Sequence, residues 1–149
     1  MSKPNPAANY FADVSGVAIE AHKNPEESGV VPIGIDVISD PERSEEIYQQ
    51  LLNRFGENIE LLNFSTVTAA HSKEASKGKA LSLMAEELAV PQEQVVAVGD
   101  SVNDVSMLQW AGLGASPMHC DDHAREVTDK ILPGDGVDGV AVLLEDLAP

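Results

Sequence analysis

The chain has 149 residues, 43% of them hydrophobic, which is enough for one ordinary core or two small lobes and too little for more than two domains. Nine Lys and Arg stand against 25 Asp and Glu, and the formal net charge of -16 works against nucleic acid or an anionic lipid surface as a partner. The single cysteine, Cys120, excludes an intrachain disulfide, and no stretch reaches the ~18 consecutive apolar residues of a membrane span, so a soluble, cytoplasmic protein is expected.

Residues 1–29 read as an irregular segment: Pro4, Pro6 and Pro25 punctuate it, His22 to Gly29 is polar, and only Val14 to Ala21 has the look of a strand. Val30 to Ile38 is β-branched and apolar, with Pro32 marking an edge or a strand start. Asp40-Pro41 then opens a helix that carries Ile47, Leu51 and Phe55 on one face and ends at Gly56. Ile59 to Thr68 forms one or two short strands, so residues 30–72 make a small α+β lobe.

A second lobe follows over residues 73–149. Ser76 caps a helix with Ala80, Leu81, Met84, Ala85 and Leu88 on one side, and a loop surrounds Pro91. Gln94 to Gly99 is a continuous apolar run of the kind expected for a parallel strand buried on both faces. Then come a helix from about Val102 to Ala111, a strand at Leu113 to Ala115, a helix at Asp122 to Val127, a strand at Lys130 to Leu132 and a helix from Val137 to Leu147. Strand and helix alternate, which defines an α/β class with a parallel sheet.

The chemistry concentrates where the apolar strand ends in Gly99-Asp100-Ser101-Val102-Asn103-Asp104. Ligands of open α/β sheets bind at the carboxyl ends of the strands. Asp104 follows Asp100 by about one helical turn, so the two carboxylates can converge, with the Asn103 amide beside them, on a hard cation such as Mg²⁺. The plainer alternative is that Asp100 and Ser101 cap a helix and Asp104 favours its dipole. Lys73, Lys77 and Lys79 make up a third of the basic residues. Lys77 beside the cap Ser76 opposes the helix dipole, a cost that a bound phosphate would offset; three solvated lysines is the competing reading.

These runs resemble the Cof-type branch of the haloacid dehalogenase (HAD) superfamily. The resemblance rests on Ser76-Lys-Gly-Lys-Ala-Leu81, Val96-Ala-Val-Gly-Asp-Ser-Val-Asn-Asp104, Met107-Leu108, Ala111-Gly-Leu-Gly114 and Asp138-Gly-Val140, in that order over about residues 73–140. It implies a Rossmann-like core preceded by part of an α+β cap, and phosphate-monoester hydrolysis of a small phosphorylated metabolite. By the same resemblance Lys77 is catalytic and binds phosphate, Asn103 supports the phosphate, and Asp100 and Asp104 help bind Mg²⁺. The family's aspartate nucleophile and acid/base lie in an Asp-x-Asp motif, and no two aspartates here are separated by one residue. Absent too is the family's Ser or Thr motif after another strand. The expectation is therefore a phosphatase portion completed by an N-terminal segment or another chain. The competing expectation is a non-catalytic module that self-associates or binds a partner.

His119-Cys-Asp-Asp-His123 offers donor atoms for a metal, but it lies where a loop meets a helix, with Asp121 or Asp122 placed to cap it. Cys120 is disfavoured as a nucleophile by the aspartates beside it. Trp110 reads as a packing residue.

Overall fold

The computed structural model describes residues 6–16, 24, 29, 31–134 and 137–148. They divide into two compact units, one up to Ser72 and the other from Lys73 onward. No helix among the described residues is long and apolar enough to cross a membrane.

The N-terminal segment departs from the irregular reading. Pro6–Ser15 is a helix, α1, so Val14 is helical; the rest of the expected strand, from residue 17 to 21, lies outside the described residues. Pro6 occupies the first helical position, where a missing N–H costs nothing, and Ala7 and Ala8 are the strongest helix formers. Gly16 ends the helix with φ of +66°, its amide donating to the Ala12 carbonyl at 2.9 Å.

In the first unit, β1 (Gly34–Ile38), α2 (Pro41–Phe55), β2 (Glu60–Asn63) and β3 (Val67–His71) build an antiparallel sheet in the order β1-β3-β2, with Ile35 and Leu61 flanking Ala70. The strand starts at Gly34, four residues after Val30, because Pro32 has no N–H to give a ladder. Pro41 at the start of α2 supplies the pre-set φ, while the Asp40 side chain makes no capping bond. Helix and sheet are pinned at one point. Buried Ser44 shares its single hydroxyl proton between Asn63 Oδ1 at 2.9 Å and the Phe64 carbonyl at 3.0 Å, and Asn63 Nδ2 donates to Glu45 at 2.9 Å. Ile47 and Leu51 are half-buried, whereas Phe55 is exposed under the Arg54 guanidinium, 5.2 Å from its ring centre.

The second unit comprises α3 (Lys77–Glu87), a 3-10 turn at Gln92–Gln94, β4 (Val96–Val98), a second 3-10 turn at Val102–Asp104, α4 (Val105–Trp110), β5 (Leu113–Pro117), α5 (Asp122–Val127), β6 (Lys130–Leu132) and α6 (Val137–Leu147). Its three strands are parallel in the order β4-β5-β6, with Val96 beside Leu113 and Ser116 beside Ile131. Strand residues alternate between two cores. Ala97 packs with Leu108, Cys120 and Ala124 under α4 and α5, while Val98 joins Ala115, Leu132 and Leu143 under α6. Helices thus cover both faces of a parallel sheet, the Rossmann-like α/β arrangement expected.

Two expectations need correction here. β4 pairs only with β5 among the described strands and is an edge, and Val96 keeps 36% of its surface, so the apolar run is not buried on both faces. On α3 the buried face is Gly78, Leu81 and Ala85, while Met84 and Leu88 are exposed at 58% and 65%. The helix rolls so that its smallest residue meets α4. A Cβ on Gly78 would run into the Ser106 carbonyl oxygen and carbon. Backbone on both sides leaves little room to relax, so Gly78→Ala is expected to destabilise the protein by about 1–3 kcal/mol in urea denaturation despite alanine's better helix propensity. An unchanged or raised midpoint would refute this close packing.

Candidate active site at the carboxyl end of strand β4

β4 ends at Val98, and the chain turns through Gly99, Asp100 and Ser101 into the 3-10 turn that carries Asn103 and Asp104. The turn closes on the Asp104 carboxylate. Asp104 Oδ2 accepts from the Asp100 amide at 2.9 Å and from the Ser101 amide at 3.2 Å, and Oδ1 takes the ammonium of Lys77 from the first turn of α3. Gly99 is needed because the carboxylate folds back over it, and a Cβ there would strike Asp104 Cβ and Cγ. Both oxygens of Asp104 are therefore engaged by protein donors.

Burial would push Asp104 up, but the Lys77 ammonium and the two amides outweigh it and hold its carboxyl below the usual carboxylate value of 3.8. The Asp104 side chain is 5% exposed and that of Lys77 50%, so the pair lies at the boundary of the core with the carbon stem of Lys77 reaching inward. Lys77 thus has a protein counter-charge, which answers the dipole cost noted above. Two of the first amides of α3, which could have met an anion, are already taken. Lys79 N donates to Ser76 Oγ at 3.1 Å and Gly78 N donates to Ser106 Oγ at 3.0 Å.

Asp100 is exposed, at the open end of the strand. Its carbonyl accepts from the Asp121 amide at 2.9 Å. Asn103 is half-buried, and its Oδ1 accepts from the Ser101 hydroxyl, which leaves the Nδ2 donors to face other groups. The structure therefore brings Lys77 and Asp104 into direct contact and keeps Asp100 and Asn103 on the same turn.

Asp121 matters more than its sequence suggests. It caps α5 by accepting from Ala124 N at 2.8 Å, and its other oxygen accepts from Val102 N at 2.7 Å. One carboxylate thereby ties the β5–α5 loop to the Asp100 turn, so the His119–His123 run serves as a brace. Cys120 lies in the core beneath it. Ser106 is the other residue that sequence reasoning passed over; its only signal was a hydroxyl two residues beyond Asp104, on the side of α4 that meets Gly78.

A profile of haloacid dehalogenase-like hydrolases matches residues 6–144. The chain belongs to this family. Among its relatives, a phosphoglycolate phosphatase of Methanopyrus kandleri is 34% identical over 89 residues, covering 60% of this chain and 38% of that protein. The 5-amino-6-(5-phospho-D-ribitylamino)uracil phosphatase YcsE of Bacillus subtilis is 33% identical over 109 residues, or 72% of this chain and 43% of that one. A crystal structure from Thermotoga maritima superposes with a TM-score of 0.76 at 27% identity, covering 99% of this chain and 56% of the other. A HAD/Cof-like hydrolase of Plasmodium vivax superposes at 0.71 with 18% identity, covering 78% and 43%. The chain thus spans between 38% and 56% of the length of these four proteins.

A magnesium ion is implied by the family, and the donor set here can be tested against it. Asp100 provides one open carboxylate at the strand end, while Asp104 has no oxygen without a protein donor. Mg²⁺ accepts such a site, since it keeps several waters and takes one or two carboxylates with the rest of its shell from substrate phosphate. Asp100 is the residue that fits as a direct ligand, and Asp104 fits as the charge that orients Lys77 and the turn.

Since the folded Asp104 carboxyl is depressed, its contribution to stability is fully present above the unfolded value of 3.8 and is lost as pH falls through the lower folded value. Asp104→Asn is expected to cost about 1–3 kcal/mol at neutral pH, discounted toward the low end because Lys77 is half exposed. The gap between wild type and variant, followed by urea denaturation against pH, should close in the acid range below pH 4 or so. A gap that persisted unchanged into strong acid would remove the Lys77–Asp104 pair as its source.

Proposed function

We propose that this chain carries the lysine and metal-binding side of a magnesium-dependent phosphate-monoester hydrolase centre. The observation that carries the reading is the contact of Lys77 with buried Asp104 beside solvent-open Asp100, all at the carboxyl edge of a parallel sheet. In this reading residues 30–72 correspond to part of an α+β cap and residues 73–149 to the C-terminal half of the core. Small phosphorylated metabolites are the substrate class, in keeping with the phosphatases among the relatives.

Each residue has a distinct task. Lys77, aimed by Asp104, presents an ammonium to a phosphoryl group and stabilises charge that builds up in its transfer. Asn103, its carbonyl held by Ser101, offers amide N–H donors to a phosphate oxygen. Asp100 holds Mg²⁺, which when bound supplies Lewis-acid stabilisation of phosphoryl oxygens. Asp121 fixes the turn so that Asp100 and Asn103 keep their places. An aspartyl nucleophile in an Asp-x-Asp pair occurs nowhere in the 149 residues, so on this reading it comes from residues outside them.

The test uses a polypeptide that carries the Asp-x-Asp strand of a Cof-like relative, mixed with this chain and Mg²⁺ over an aryl phosphate. Hydrolysis is expected only in the mixture and only with Mg²⁺, and Lys77→Ala should reduce it by roughly 10²–10³-fold, as loss of a transition-state charge contact does. Equal turnover by the chain alone, or by the Lys77→Ala mixture, would sink the assignment. A folded mixture with no hydrolysis at all would favour a non-catalytic module instead.

A further inference from the structure

Lys77 and Lys79 sit two positions apart in the first turn of α3, about 200° around the helix axis, so they leave it on opposite sides. Lys77 is committed to Asp104, and Lys130 pairs with Asp146 at 3.6 Å. Lys79 instead lines a wide, open hollow of about 380 Å³, together with Lys73, Ser76, Ser82, Ser106 and Trp110. Neither Lys77, Asp100 nor Asp104 borders it.

The donors of this cavity are arranged in a particular way. Ser76 Oγ and Ser106 Oγ each accept from a backbone amide of α3, so each hydroxyl has its own proton left to donate. Ser82 adds a third hydroxyl one turn further along the helix. With two ammonium groups, the lining offers up to five donor groups in a chain of net charge -16, and Glu74, which lines it too, leaves the balance at two cations to one carboxylate. A carboxylate ligand brings one negative charge and about four lone-pair sites, all in one plane, to these five groups. A tetrahedral phosphate has enough oxygens for charge-assisted bonds from both lysines and further bonds from the hydroxyls.

We propose that this cavity is a second anion site, separate from the Lys77–Asp104 face, that takes a phosphate group. It is coupled to the first face through Ser106, a lining residue whose hydroxyl accepts from the Gly78 amide beside Lys77. A phosphate drawing on that hydroxyl polarises the bond that pins the start of α3 to α4. The inference does not rest on Lys77 being catalytic.

The molecule contains its own reporter, since Trp110 is the single tryptophan and lies in the cavity wall. The 149-residue chain is titrated with inorganic phosphate, with methylphosphonate as a stand-in for an esterified phosphate, and with chloride at matched ionic strength. A saturable change in tryptophan emission with phosphate but not chloride is expected. Lys73→Gln combined with Lys79→Gln, both at exposed positions, should raise the half-saturating concentration about tenfold or more, as loss of two charged donors does. Amide chemical shifts should move at Ser76 to Ser82 and Ser106 to Trp110 and not at Asp100 and Ser101. Response to inorganic phosphate alone supports a site for the free ion; response to both supports one that also reads a phosphate group on a carrier. Emission that tracks chloride equally, a double variant that binds as well as wild type, or shifts centred on Asp100 would each overturn the proposal.

Discussion

A buried carboxylate is costly unless something neutralises it, and Asp104 meets that condition with an ammonium and two amides. The donors come from two pieces of chain: Lys77 from α3, and the amides of Asp100 and Ser101 from the turn after β4. The carboxylate therefore decides where the first turn of α3 sits and how the strand ends. Removal of any donor would leave charge in a place where water cannot replace it. Packing around the pair has adapted to it, because Gly99 gives the carboxylate room to fold back and Gly78 lets α3 come down onto the backbone of α4.

This arrangement gives two aspartates four residues apart opposite environments. Asp104 is dry, has a protein donor on each oxygen and is held ionised below the usual carboxylate value, which suits a group that aims a lysine. Asp100 is wet and open, which suits a group that must exchange water for a ligand. A cation bound at Asp100 would lie at the edge where the sheet ends and where Asp121 braces the turn from the opposite loop. Rigidity and access are thus supplied by different residues, and the turn satisfies both because its backbone amides are spent on the dry aspartate.

How much of this was legible in the sequence varies with the origin of each feature. α5, β6 and α6 match their expected bounds because local signals set them: an Asp cap before α5 and apolar periodicity in α6. α1 is hidden in the sequence because prolines usually signal breaks, whereas a proline at the first helical position favours the helix. The exposure of Met84 and Leu88 was also hidden, since helical periodicity names a face but not which neighbour arrives against it; the close approach at Gly78 rolled α3 toward its small residues. At the site the residue types and spacing were readable, as was the family resemblance they carry. The division of labour between Asp100 and Asp104 was not, because it depends on a partner 27 positions earlier in the chain and on amides that every residue possesses.

The amides at the start of α3 show why motif and geometry have to be read together. A lysine next to a serine cap suggests a phosphate cradle at a helix N-terminus, and the dipole argument supports it. In the folded chain two serines, one local and one from α4, take those amides, so an incoming anion meets side-chain hydroxyls and ammonium groups instead. The helix still presents positive charge, but in two directions. Lys77 is bound to a carboxylate kept ionised by its donors against the pull of burial, while Lys79 faces a polar hollow on the other side. An acidic chain concentrates three of its nine cations within seven residues, and the twist of a single helical turn is enough to separate them into two chemical environments.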